Sequence, residues 1–101
     1  MKLLIIATVL LATGASAALA HDDFRVIGDL TKVDARLIEV RTPQGRTLEI
    51  AINMRTTVSR DKKEIAQTEL KSGQYVVVDA YGDGLNDLLA IQIQIVPPPS
   101  R

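Results

Sequence analysis

In the stretch Thr47-Leu48-Glu49-Ile50-Ala51-Ile52-Asn53, Leu48, Ile50 and Ile52 alternate with Thr47, Glu49, Ala51 and Asn53. A period of two puts one set of side chains in a core and the other in water, which is a strand and not a helix. The run before it behaves the same way, with Ile38 and Val40 set against Leu37, Glu39 and Arg41. Between the two lies Pro43-Gln44-Gly45, where proline presets φ and glycine accepts a positive φ. The two runs are therefore expected to form a hairpin.

Working outward, Phe24 to Val33 reads as a first strand bent at Gly28, and Asp34-Ala35 turns it into the second. Beyond Asn53 the alternation lapses, and the chain to Ala66 is polar except for Met54, Val58 and Ile65. That segment is expected to be a loop with a brief extended piece at Thr56 to Arg60. Ala66 to Ser72 predicts one short helical turn stopped by Gly73. Tyr75 to Tyr81 and Leu88 to Val96 complete the strands, joined through Gly82-Asp83-Gly84 and Asn86-Asp87. Pro97, Pro98 and Pro99 cannot donate ladder hydrogen bonds, so they end the last strand and leave a proline-rich tail over 97–101.

The expected fold is all-β: a five-stranded, OB-like closed barrel with a short helical turn between strands three and four. A sandwich would need about seven strands, and a small SH3-like barrel is the structural alternative. The inward set is expected to be Val26, Leu30, Ile38, Val40, Leu48, Ile50, Ile52, Val76, Val78, Leu89, Ile91 and Ile93.

Several runs carry a resemblance: Gly28-Asp29-Leu30-Thr31-Lys32-Val33, the hairpin strands Leu37 to Val40 and Leu48 to Ile52, and Thr57-Val58. Glu69-Leu70-Lys71-Ser72-Gly73-Gln74-Tyr75-Val76-Val77-Val78 and the closing Leu89-Ala90-Ile91 extend it. Together they resemble an uncharacterised family of small bacterial exported OB-barrel domains, over residues 26 to 95. Because these motifs are structural, the resemblance implies the barrel and says little about activity. In layout the chain is also distantly similar to periplasmic copper-carrier OB barrels, which hold metal with methionines, a histidine and a tryptophan. This chain departs from that pattern, having no tryptophan and, past Met1, only Met54.

The N-terminus has a basic Lys2, an apolar run from Leu3 to Ala12 and small residues at Ala18 and Ala20, the pattern of a cleavable signal peptide over residues 1–20. Ten apolar residues are about half of the ~20 a membrane span needs, so no span is expected after cleavage. The exported domain would begin at His21 and run to residue 96. With no cysteine there is neither a disulfide nor a lipid attachment point, which points to a periplasmic or secreted location. Losing residues 1–20 leaves 81 of the 101, enough for one domain.

Twelve basic and twelve acidic residues become a net charge of −1 once Lys2 is removed, with both signs scattered. A nucleic-acid partner needs a concentrated basic face. The densest basic cluster is Arg60, Lys62 and Lys63, broken by Asp61 and followed by Glu64, a solvated loop. No catalytic residues are expected: the single histidine is His21, and Gly82 and Gly84 sit in a hairpin connection, not in a phosphate loop.

What remains is a non-enzymatic binding or interaction module, with an unknown protein or envelope component as partner. Tyr75 and Tyr81 share a strand face with Val77, opposite Val76, Val78 and Ala80, and make the candidate ligand or partner face. The alternative is a periplasmic copper protein, with His21 offering an α-amine and a ring nitrogen and Met54 a thioether. Otherwise Met54 packs at the end of the third strand. Asp83, Asn86 and Asp87 place three oxygen-bearing side chains in one loop, but their order does not match an EF-hand, and such residues are what the loop itself needs.

Overall fold

The structure, a computed structural model, describes residues 22–99. Its strands are β1 (Asp22–Val33), β2 (Leu37–Arg41), β3 (Thr47–Ala51), β4 (Thr57–Arg60), β5 (Lys63–Ile65), β6 (Tyr75–Gly82) and β7 (Leu88–Val96). All pair in one sheet, in the order β3-β2-β1-β6-β7-β4-β5, with an additional β3–β7 pairing. The protein is all-β, its one helical piece among the described residues being a 3-10 turn at Gln67–Glu69.

β1 is long enough to serve two neighbours. Its first part pairs antiparallel with β6, from Asp22↔Gly82 to Asp29↔Tyr75, and its second part with β2, from Asp29↔Arg41 to Val33↔Ile38. The handover occurs at Gly28, where an added Cβ would overlap the Arg41 carbonyl oxygen. Glycine is required there because two backbones meet with no room for a side chain. β2 and β3 form the expected hairpin, in register from Leu37↔Ala51 to Arg41↔Thr47. β3 then meets β7 in parallel, Ile50 beside Leu88 and Ala51 beside Leu89. The pairings β1–β2, β2–β3, β3–β7, β7–β6 and β6–β1 thus return to their starting strand.

The sheet has seven strands where five were expected. The difference is the β4–β5 hairpin, formed within the expected loop and laid parallel to β7 through Thr57↔Gln92 to Arg60↔Ile95. Its turn residues Asp61 and Lys62 both take positive φ without being glycine, so the usual turn signature is missing from the sequence. The expected helical turn shrinks to the three residues of the 3-10 turn, and Leu70 just after it is buried. Thr56 is the one buried polar residue among the described residues, and its hydroxyl donates to the Ala90 carbonyl at 2.8 Å. The Gln67 amide donates to the Asn53 and Thr56 carbonyls at 2.7 and 2.8 Å, tying the 3-10 turn to the end of the β3–β4 connection.

The core is Val26, Leu30, Ile38, Val40, Leu48, Ile50, Ile52, Val58, Leu70, Val76, Val78, Ala80, Leu88, Ala90 and Ile93. Two expected members, Leu89 and Ile91, are not in it; Leu88 and Ala90 take their places. The reason is a β-bulge, since Ala80 pairs with Ala90 but the next residue, Asp79, pairs with Gln92. Ile91 is the extra residue, so inward parity runs Leu88, Ala90 before it and Ile93 after it. A strict alternation through Leu89, Ile91, Ile93 and Ile95 has no way to show that break. A second bulge sits on β1, where Leu30 pairs with Val40 and Lys32 with Glu39, leaving Thr31 extra.

Candidate partner face

The outer face of β1, β6 and β7 is built from register. Val76, Val78 and Ala80 point into the core, so Tyr75, Val77, Asp79 and Tyr81 point outward along β6. Across β1 these stand opposite Asp29, Ile27, Arg25 and Asp23, and across β7 opposite Val96, Gln94, Gln92 and Leu89. Ile27 and Val77 are therefore neighbours, and so are Tyr81 and Leu89. The bulge turns Ile91 outward beside Gln92, where it shares a shallow depression with Arg25 and Asp79.

Four large hydrophobic side chains are exposed among the described residues: Ile27 (39 %), Tyr81 (36 %), Ile91 (48 %) and Met54 (95 %). Three of them belong to this face. Tyr75 and Val77 are half-buried, and Tyr75 lies at the opposite end of β6 from Tyr81. Between the tyrosines runs an ion pair in which Arg25 Nε donates to Asp79 Oδ1 at 2.9 Å and Nη2 to Oδ2 at 3.4 Å. This contact raises the guanidinium above its ordinary pKa, through the hydrogen bond first and charge attraction second. The face is thus two apolar ends, Ile27 with Val77 and Tyr81 with Leu89 and Ile91, around a fixed charged centre.

Comparison with protein-family models, with curated proteins and with solved structures yields no match.

The other sequence-derived residues do not converge. Met54 sits in the turn after β3 almost fully in solvent, which corrects its expected role as a packing residue; the burial at that strand end is done by Ile52 and Thr56. His21, Ala18 and Ala20 lie outside the described residues. Asp83, Asn86 and Asp87 occupy the β6–β7 connection, where the Asp87 amide donates to the Gly84 carbonyl at 3.0 Å. Among the described residues no group of three histidine, cysteine, aspartate or glutamate side chains is placed to share a metal. Arg60, Lys62 and Lys63 lie exposed along the β4–β5 hairpin, with Arg60 at 3.9 Å from Glu69.

Two features were missed at the sequence level. One is the outward turn of Ile91, which no local pattern signals. The other is a groove of about 590 Å³ beside β1, whose lining includes Phe24, Arg25, Ile27, Pro43, Gln44 and Tyr75.

Proposed function

We propose that this chain is an exported, non-enzymatic interaction module whose five mutually paired strands, β1, β2, β3, β7 and β6, form an OB-type closed barrel. The barrel reading is supported by the cycle of pairings and by the parallel β3–β7 link. The two-stranded β4–β5 extension is then an addition to that barrel. Export is supported by the Lys2, Leu3–Ala12 and Ala18/Ala20 pattern. A binding role without catalysis is supported by the chain's having one histidine, His21, and no cysteine.

The observation that carries the reading is the outer face of β1, β6 and β7, where Ile27, Tyr81 and Ile91 stay exposed together. Exposed isoleucine and tyrosine grouped on one face, with polar Gln92, Gln94 and the Arg25–Asp79 pair among them, have the composition of a protein-contacting surface. The partner expected there is a protein of the cell envelope, and burying these side chains would supply the affinity.

Site-specific photo-crosslinking in living cells tests this. A crosslinking side chain placed at position 91 or 77 should give a discrete heterologous adduct, and one at position 49, on the outer face of β3, should not. Equal adducts from all three positions, or none from 91 and 77, would contradict the assignment.

A further inference from the structure

Beyond that face, the structure contains a sheet edge that nothing in the described residues covers. Leu30 directs its backbone toward the β6 side, its N–H donating to the Gln74 carbonyl at 2.8 Å and its carbonyl accepting from Gly73 at 2.7 Å. Backbone direction alternates along a strand, so Gly28, Val26 and Phe24 also face β6. The N–H and C=O groups of Asp23, Arg25 and Ile27 therefore face the other way. Among the described residues, β2 pairs only with Asp29 and beyond, and no loop backbone bonds to these three residues. The groove of about 590 Å³ runs along this edge.

Among the described residues, the outer strand β5 is treated differently. β5, at the far end of the sheet, is three residues long, carries Lys63 and Glu64 and is entered through Asp61 and Lys62, which is how an edge is blunted against pairing. The open stretch of β1, Asp23-Phe24-Arg25-Val26-Ile27, is β-prone and contains no proline or glycine.

We infer that this edge pairs with the same edge of a second copy of the chain, antiparallel about a two-fold axis beside Phe24. Charge complementarity selects this arrangement from a limited set of registers. Antiparallel pairing that uses the outward groups of Asp23 and Arg25 must oppose odd-numbered residues to odd-numbered residues. Centring it on Arg25 sets two guanidinium groups face to face, and centring it on Asp23 does the same with two carboxylates. Opposing Arg25 to the second copy's Ile27 brings Asp23 opposite Asp29. Centring it on Phe24 sets Asp23 opposite Arg25 twice over, once on each side of the axis, and brings two half-buried phenyl rings together. Arg25 and Asp23, two apart on one face and opposite in charge, are the self-complementary pattern an isologous strand contact requires. The prolines at 97–99 lack the N–H groups to take this place themselves.

The test is the oligomeric state of the chain expressed at full length, in the form the host delivers, by sedimentation velocity over a concentration series. A concentration-dependent dimer is expected. Asp23→Arg opposes two arginines and should raise the dimer dissociation constant by about tenfold to a hundredfold. Arg25→Asp combined with Asp79→Arg keeps the internal ion pair with its sign inverted and should weaken self-association similarly by opposing two aspartates. Mixing the two variants should restore a dimer, now heterologous, because each strand again meets opposite charge. Thermal melts of each variant separate loss of pairing from loss of fold, and the Asp23→Arg arm stands if the double variant fails to fold. A monomeric wild type overturns the inference, whether or not its β1 amides become protected by an added extended peptide. So does a dimer indifferent to Asp23→Arg, or two folded variants that fail to recombine. None of these three results bears on the crosslinks from positions 91 and 77 to a heterologous partner.

Discussion

Ile50 is fully buried while its neighbour Glu49 is exposed, so the two test the register of β3 directly. Ile50→Ala should destabilise by about 2 to 5 kcal/mol in denaturant melts, and Glu49→Ala should stay within about 0.5 kcal/mol of wild type. The same comparison tests the bulge on β7. Ile91→Ala should also cost little, whereas Ala90→Leu, which forces three carbons into a filled interior, should cost about 1 to 3 kcal/mol. The reverse order of those two effects would restore the unbroken alternation. The inward residues of β1, β2, β3 and β6 were legible in the sequence because each keeps one parity over its buried stretch. Leu89 and Ile91 were not, because a bulge changes parity without changing composition, and the residues that stabilise it, such as Thr56 donating to the Ala90 carbonyl, come from 34 positions away.

At the scale of elements, the β2–β3 hairpin was readable from Pro43-Gln44-Gly45, where Gly45 takes the positive φ its lack of a side chain permits. The β4–β5 hairpin was hidden because a lysine and an aspartate occupy the positive-φ positions, and because its strands are too short for periodicity to speak. Lys62→Gly should relieve that backbone and stabilise the protein by about 1 kcal/mol, read as a higher midpoint in denaturant. At Gly28 the opposite holds. Gly28→Ala drives a methyl group into the Arg41 carbonyl and should lower stability by at least the 1 to 3 kcal/mol typical of overpacking, because the obstacle is backbone and not a side chain that can turn away. An unchanged melt for Gly28→Ala would mean that β1 does not pass from β6 to β2 at this residue.

For the whole molecule, the fold is held by pairings between strands distant in sequence, β1 with β6 over eight residues and β3 with β7 over two, and no local reading reaches those contacts. The candidate face was half legible: Tyr75, Val77 and Tyr81 follow from the alternation in β6, whereas Ile27 and Ile91 join them only through register with β1 and the bulge in β7. The compartment assignment predicts that the exported chain starts at His21, which N-terminal sequencing checks; a chain starting at Met1 in the membrane fraction would contradict it. The claim that the outer face of β1, β6 and β7 holds a partner is tested most directly by native mass spectrometry of the protein purified from its host cells, as wild type and as Ile27→Lys/Ile91→Lys. A heterologous mass is expected on the wild type, beyond any multiple of the chain itself, and absent from a double variant with an unchanged melting temperature. The same bound mass on both proteins, or on neither, would contradict it.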